Sequence, residues 1–263
     1  MRRLHLFEFE DLTWFPPAIR EAMTDFLSFM GAIADKPLGP FADRLERAMQ
    51  VTGDDRLVDL GSGGGGPALT VARLLNRKRG APVKVTLTDL YPNLPKLELA
   101  RREGRGQVDF VESSVDATRV PSELQGFRLM CNAFHHLPPV AARRCLLDAV
   151  EKEQGIALVE FVNRSLFAML QISFGWAALL LVTPFIRPRR LSRLLFTYAI
   201  PIVPLCTWWD GFVSCLRAYD EAELKGLIES LPANDYEWEV GRLKVPKLPG
   251  SLTYLVGHPP RRV

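Results

Sequence analysis

Between residues 57 and 161 the chain alternates between short apolar runs and longer stretches with apolar residues at helical spacing. The short runs predict strands, and the longer stretches predict helices because their apolar residues recur on one face. Strands that alternate with helices indicate a parallel sheet covered on both faces, with ligands bound at the carboxyl ends of the strands. The predicted strands are 57–60, 83–89, a third that ends near 110, a fourth that with its trailing loop covers 129–138, and 155–161. Two of the helices between them are 67–79 and 139–154.

Segments on both sides of this region extend the predicted fold. Residues 18–30 form an amphipathic helix by their spacing, and residues 41–50 form a second one. Near the other end, Asp220 with Glu223 is typical of a helix start, so residues 221–230 are predicted to be helical. Two more strands are expected at 236–242 and 252–257, joined through a turn at 246–250.

The most informative short segment follows the first predicted strand, where a run of glycines separates Asp59 from Pro67. Glycine at positions 61, 63 and 65 allows positive φ and lets a ligand approach the backbone without a Cβ in the way. Pro67 fits the first turn of a helix. A glycine turn that faces a helix N-terminus is suited to a nucleotide-like cofactor. Asp59 and Asp89 add carboxylates at two strand ends, one for a ligand amino group and one for ribose hydroxyls.

The spacing Asp-x-Gly-x-Gly-x-Gly resembles the first motif of the class I S-adenosylmethionine-dependent methyltransferases. Three further segments are similar to motifs of that family and occur in the family's order: Asp89, the pair Asp116 and Ala117, and the loop with His135 and His136. The resemblance covers residues 57–161. It implies a seven-stranded sheet that finishes with a hairpin, one strand of which is antiparallel. It also implies methyl transfer from S-adenosylmethionine to a small molecule, with S-adenosylhomocysteine as the product.

Site residues follow from the resemblance and from side-chain chemistry. Cofactor contacts are expected from Asp59, Gly61, Ser62, Gly63, Gly65, Asp89, Leu90, Asp116, Ala117 and Asn132. Because histidine titrates near neutral pH, the expected general bases for a hydroxyl acceptor are His135 and His136, followed by Asp210 and Glu160. The alternative for the histidines is a structural role at the strand end. Substrate contacts are expected from Trp14, Phe15, Trp209, Arg217 and Tyr219, with ordinary packing and an Asp210–Arg217 ion pair as the alternatives.

Two other functions remain open. Gly61, Gly63 and Gly66 also satisfy the Gly-x-Gly-x-x-Gly pattern of an NAD-dependent oxidoreductase. That function leaves Asp59 and Asp116 unexplained, and the chain has no Tyr-x-x-x-Lys dyad. The other is a catalytically inactive, membrane-associated binding protein with a methyltransferase-like domain. It would explain an apolar insertion but not an intact set of cofactor residues.

That insertion begins at residue 165, and residues 165–186 contain no charged residue. A helix of this length rises roughly 30 Å, enough to cross the hydrocarbon core of a bilayer. Residues 194–209 are again uncharged but contain Pro201 and Pro204, and between the two arms lie Arg187, Arg189, Arg190 and Arg193.

Three arrangements of the insertion compete: a spanning hairpin, an interfacial element with the arginines on anionic headgroups, and a cap over the substrate pocket. Arginines at the tip oppose spanning, because positive charge stays on the cytoplasmic side. We expect a helical cap that does not span. The cap and the interfacial element both imply a largely apolar acceptor, such as a lipid, a terpenoid or an aromatic metabolite.

Length and composition restrict the remaining possibilities. A chain of 263 residues is sufficient for one elaborated α/β domain, and a net charge of +3 with dispersed basic residues does not favour a nucleic-acid partner. Four cysteines without Cys-x-x-Cys pairing indicate reduced thiols and no structural zinc. The four histidines do not pair with nearby acids at ligand spacing, so no metal is expected. Residues 1–15 do not resemble a signal peptide, so we expect a cytoplasmic protein, with peripheral contact at the inner face of the membrane as the alternative.

The predicted fold class is therefore α/β, a doubly wound, seven-stranded, Rossmann-like methyltransferase sheet with N-terminal helices and an apolar helical cap insertion. We divide the chain into an N-terminal helical cover at 1–52, an S-adenosylmethionine-binding core at 53–164, the insertion at 165–210, and a C-terminal helix and β-hairpin at 211–263.

Overall fold

The computed structural model describes residues 1–32, 35–187, 189–232, 235–244 and 250–260, and in these ranges seven strands form one sheet. The strands are β1 Arg56–Leu60, β2 Lys84–Thr88, β3 Val108–Phe110, β4 Phe127–Cys131, β5 Ile156–Glu160, β6 Glu237–Lys244 and β7 Ser251–His258. Their order is β3-β2-β1-β4-β5-β7-β6, with β1 to β5 parallel and β7 antiparallel to both neighbours. The predicted sheet is confirmed. The turn expected at 246–250 lies almost entirely outside the described residues.

Helices cover both faces of the sheet. They are α1 Pro17–Ala32, α2 Asp35–Thr52, α3 Gly66–Asn76, α4 Leu94–Glu103, α5 Pro139–Glu151, α6 Leu166–Val182, α7 Leu191–Leu194, α8 Ile202–Arg217 and α9 Glu221–Glu229. Successive strand residues point to opposite faces, so Leu57 packs with α2 and α3 while Val58 packs with α5 and α9. Strands buried on both faces read as nearly continuous apolar runs, which is the pattern seen in the sequence.

A third apolar core joins the N-terminal helix to the insertion. Phe15, Ile19 and Met23 from the α1 region pack against Leu179 of α6 and Val203 of α8. The helix predicted at 18–30 and the first helix of the insertion are confirmed. Ser165 caps α6, because its hydroxyl accepts a hydrogen bond from the amide of Ala168 at 3.1 Å.

The second arm of the insertion differs in part from the prediction. A π-helical turn, Leu195–Ala199, continues α7, and the chain then bends by 80° at Pro201 before α8 begins. Pro204 does not interrupt α8, because it lies in the first turn, where backbone N–H groups have no partner within the helix. Since α8 runs on to Arg217, the predicted division at residue 210 is wrong and falls inside one helix.

One buried carboxylate connects the insertion to the α/β domain. Asp25 of α1 lies 2.6 Å from Nη1 of Arg193 and 3.0 Å from Nζ of Lys96 in α4. All three side chains are buried or nearly so. Two buried cations that share one carboxylate depend on it strongly, because an uncompensated charge in the interior is costly. Asp25 therefore joins three elements that meet beside the sheet.

We predict that Asp25→Ala lowers the free energy of unfolding by about 3–5 kcal/mol, since it removes the carboxylate that both cations share. Urea denaturation of the full chain measures the change. Glu21→Ala is the matched control, because Glu21 pairs with the half-exposed Arg190 and its loss should cost less than about 1 kcal/mol. Equal small losses in the two variants would show that Asp25 does not hold these elements together.

Candidate active site

The glycine-rich loop between β1 and α3 has the predicted backbone conformation. The φ angles of Gly61, Gly63 and Gly65 are +74°, +54° and +75°. A Cβ on Gly61 would lie 3.1 Å from the Cβ of Ala133, and one on Gly65 would lie 2.9 Å from Leu87. A Cβ on Gly63 would meet nothing within 4 Å. Gly63 thus presents its backbone to open space, as a ligand-binding loop requires.

Asp89 holds this loop against the end of β2. Its Oδ2 accepts a hydrogen bond from the amide of Gly63 at 2.7 Å, and its Oδ1 accepts one from Tyr91 at 2.8 Å. A carboxylate offers about four acceptor positions. Acceptor capacity therefore remains for the two hydroxyls of a ribose, which is the role predicted for Asp89.

Asp59 is the buried carboxyl group of the site. Its pKa is raised to about 7: burial raises the pKa most, the hydrogen bond with Ser62 opposes this, and the charge of Asp89 adds to the increase. The hydroxyl of Ser62 also accepts a hydrogen bond from the amide of Thr88 at 3.0 Å and joins the ends of β1 and β2. A ligand ammonium group beside Asp59 would favour its charged form.

The loops after β3 and β4 complete this edge of the sheet. The amide of Val115 donates to the carbonyl of Asp89 at 2.9 Å, and the hydroxyl of Ser114 donates to the carbonyl of Leu90 at 2.7 Å. These bonds bring Asp116, with Ala117 beside it, next to the end of β2. Asn132 has a φ of +53°, and its Oδ1 accepts from the amide of Phe161 at 3.1 Å. The expected cofactor residues therefore lie at one edge of the sheet.

His135 is buried and paired with Glu160 at the end of β5. Its Nδ1 lies 2.6 Å from Oε2 of Glu160, whose Oε1 accepts from the amide of Phe134 at 2.8 Å. Because both carboxylate oxygens act as acceptors, we assign the proton of the neutral ring to Nδ1. This tautomer leaves Nε2 able to accept a proton. Glu160 therefore orients the histidine.

His136 lies in a different environment, among the acids of the N-terminal segment. Its Nδ1 is 3.0 Å from Oδ1 of Asp11 and 3.6 Å from Oε2 of Glu8. Burial lowers its pKa, but the hydrogen bond to Asp11 and the charges of Glu8 and Asp11 outweigh that effect and raise the pKa to about 9. His136 is then a cation at neutral pH, which makes it a poor general base.

The part of the site that the sequence did not predict is the N-terminal segment, residues 6–11. Arg217 in α8 lies 3.1 Å from Glu8 and 2.7 Å from Asp11. Asp210 accepts hydrogen bonds from the amides of Phe9 at 2.7 Å and Glu10 at 3.0 Å. The Asp210–Arg217 ion pair considered above is therefore wrong, because each residue binds the segment instead. The only signal in the sequence was the cluster of acids at Glu8, Glu10 and Asp11.

The other expected substrate and catalytic residues occupy supporting positions. Both oxygens of Asp210 are held by backbone amides, so Asp210 anchors the segment, and Nε1 of Trp209 donates to the carbonyl of Phe7 at 3.0 Å. The hydroxyl of Tyr219 donates to the carbonyl of Leu137 at 2.7 Å, beside the histidine loop. Trp14 is 71% exposed, whereas Phe15 is buried in the core between α1 and the insertion.

One group of side chains has the composition of a metal site. Ligand atoms of Glu8, His135 and His136 lie within 4.8 Å of one another. The spacing argument against a metal missed this group, because Glu8 comes from the distant N-terminal segment. The guanidinium of Arg217 lies 3.1 Å from Glu8 and 3.4 Å from Nδ1 of His136. Since that cation already compensates the carboxylate, the geometry gives no reason to assign an ion.

Comparison with solved structures identifies the fold. The plantazolicin methyltransferase BpumL, solved in complex with S-adenosylhomocysteine, matches 95% of this chain and 94% of its own with a TM-score of 0.55 and 12% identity. The trans-methyltransferase CalH, also in complex with S-adenosylhomocysteine, matches 88% of this chain with a TM-score of 0.52 and 17% identity. The mitomycin 7-O-methyltransferase MmcR matches 98% with a TM-score of 0.50 and 16% identity. This chain spans 59% of CalH and 61% of MmcR.

No protein-family model and no curated protein matches the sequence. The structural likeness, the strand order and the antiparallel β7 together show the class I methyltransferase fold, with a helical insertion after β5. The fold expected from the sequence is confirmed.

We predict that the pKa of His136 is about 9, as measured by NMR titration of its ring protons. Asp11→Asn removes the hydrogen-bonded carboxylate, which is the largest contribution that raises the pKa, and should lower the pKa towards 6.5. A raised pKa in the folded state contributes stability that is complete below about pH 6.5 and is lost as the pH rises through 9. The wild-type chain should therefore lose stability over this range, and Asp11→Asn should lose less. A His136 midpoint near 6.5 in the wild-type chain would contradict the assignment.

Proposed function

We propose that the chain is an S-adenosylmethionine-dependent methyltransferase that acts on a small, largely apolar acceptor and releases S-adenosylhomocysteine. The observation that carries this proposal is the open backbone at Gly63, held by Asp89 at the carboxyl edge of a methyltransferase sheet. Two structures with similar folds, BpumL and CalH, are complexes with S-adenosylhomocysteine.

The chemistry of the donor set fits this cofactor. Asp89 would accept hydrogen bonds from the ribose hydroxyls, and Asp116 with Leu90 would face the adenine ring. The raised pKa of Asp59 indicates a carboxyl group whose charge is poorly compensated, which suits the cofactor's ammonium group. The Rossmann-type alternative, NAD, leaves this buried carboxyl group without a function. When bound, S-adenosylmethionine supplies an electrophilic methyl group on a sulfonium centre.

His135 is the group best placed to remove a proton from a hydroxyl acceptor. Glu160 orients its ring and leaves Nε2 free to accept the proton. Positioning supplies most of the acceleration in such a displacement, and a general base contributes a further factor of about 10²–10⁴.

An apolar acceptor is supported by what surrounds the loop. The Oγ of Ser28 in α1 would lie 2.9 Å from a Cβ placed on Gly64, so α1 covers part of the glycine-rich loop. The other side of α1 packs on the apolar insertion. An acceptor that enters beside α1 would meet side chains of α6 and α8, and residues 165–186 carry no charge to pair with a polar substrate.

We predict that Gly63→Val weakens S-adenosylhomocysteine binding at least 100-fold, because the side chain would occupy the open space and strain the backbone. Gly53→Val is the matched control, since Gly53 has a φ of +78°, also faces open space and lies on the exposed turn after α2. Titration calorimetry measures the affinity of both variants for S-adenosylhomocysteine and, separately, for NAD. Normal binding by Gly63→Val would place the cofactor elsewhere. Tight binding of NAD alone would support the oxidoreductase.

We predict that His135→Ala lowers kcat by a factor of about 10²–10⁴ while the affinity for S-adenosylhomocysteine changes little. The assay measures S-adenosylhomocysteine release with a panel of phenols, hydroxylated terpenoids and lipids. His258→Ala is the control, because His258 is also buried but ends β7 at the opposite edge of the sheet. An unchanged kcat in His135→Ala would remove the general base from the proposal.

A further inference from the structure

Helix α6 has an apolar face that the rest of the protein leaves uncovered. Among the described residues, Leu166–Phe185 is the one unbroken helical segment long and apolar enough to cross a membrane, yet only 22% of it is buried. Met169 and Leu179 point into the protein. On the opposite side, Phe174, Leu181 and Phe185 are each at least 70% exposed. A helix in the core of a soluble protein would be mostly buried.

Neighbouring elements extend this exposed surface. The hydroxyl of Tyr198 donates a hydrogen bond to the carbonyl of Leu180, which places the π-helical turn beside the exposed end of α6. We call the whole surface the insertion face; its exposed apolar residues are Phe167, Leu170, Phe174, Trp176, Leu181, Phe185, Leu191, Leu195, Tyr198, Ile200, Leu205 and Trp208. Groups of exposed apolar side chains on neighbouring elements mark interaction sites in soluble proteins.

The charges next to the insertion face are of one sign. Residues 165–209 contain four arginines and no aspartate or glutamate. Arg190 pairs with Glu21, and Arg193 is buried against Asp25, so these two do not face outward as the interfacial alternative assumed. Arg187 and Arg189 are exposed at the tip between α6 and α7.

We propose that the insertion face lies on an anionic lipid bilayer, with its apolar side chains below the headgroups and Arg187 and Arg189 on the phosphates. Apolar burial and attraction between arginine and anionic lipid are the two forces that hold interfacial elements. Aromatic side chains with a polar atom, such as Trp176 and Tyr198, suit the boundary between lipid and water. This proposal does not depend on the proposed function.

The structure favours this occupant over two others. Spanning would pull Met169 and Leu179 out of two apolar cores and break the buried pair of Arg193 with Asp25. A second copy of the chain, docked symmetrically, would bring like-charged arginines together with no acid in the segment to pair with them.

Co-sedimentation of the full chain with vesicles tests the proposal. Binding should be strong on phosphatidylcholine with 30% phosphatidylglycerol, an amount chosen as roughly that of an anionic membrane. Binding should fall at least tenfold in the double variant Phe174→Gln/Leu181→Gln, because it lacks two apolar side chains that the bilayer would bury. Each of Arg187→Gln and Arg189→Gln should lower binding about fivefold on the anionic vesicles only. Val140→Gln, at an even more exposed apolar position on α5, is the control and should bind normally.

Three results would overturn the proposal. The first is no binding to vesicles of phosphatidylcholine with or without phosphatidylglycerol, or equal binding by the wild-type chain and the double variant Phe174→Gln/Leu181→Gln. The second is retention in the vesicle pellet after alkaline carbonate, which would indicate a spanning hairpin. The third is a stable dimer by light scattering that the same double substitution dissociates, which would assign the insertion face to a second copy. Circular dichroism shows whether each variant is folded.

Discussion

The hydrogen bond from the amide of Gly63 to the carboxylate of Asp89 fixes the geometry on which the rest of the site depends. It joins the loop after β1 to the end of β2 through the backbone amide of a glycine whose φ is +54°. The hydroxyl of Ser62 makes a parallel connection between the same two strands. These two hydrogen bonds fix the strand ends, and they therefore fix the position of the buried Asp59 carboxyl group relative to the open space at Gly63.

A second set of charges closes the opposite side of the site. Asp210 and Arg217 stand on one helix and hold the segment that carries Glu8 and Asp11. The same acids raise the pKa of His136, so the two adjacent histidines differ in chemistry. His136 pairs with acids of the N-terminal segment, whereas Glu160 orients the ring of His135 from the end of β5. The fold thus gives the two adjacent histidines different carboxylate partners.

Local patterns predicted the sheet and the cofactor loop because their causes are local. Glycine at alternate positions before Pro67 permits the positive φ angles of a tight turn into a helix, and buried parallel strands must be apolar throughout. The partners of Asp210 and Arg217 could not be predicted in this way, since they lie about 200 positions earlier in the chain and are brought near by packing. The length of α8 was missed because Pro204 reads as a helix breaker unless it is known to lie in the first turn.

The insertion shows why composition alone could not choose between a cap and a membrane element. Its inner face packs on α1 with Leu179 and Val203, and its outer face presents Phe174 and Leu181 to the surroundings. Because the helix is apolar on all sides, no polar stripe in the sequence marks where the face that packs on α1 ends and the uncovered face begins. Only the packing separates the two faces. One face of the insertion therefore packs on α1, the helix beside the glycine-rich loop, and the other face is uncovered.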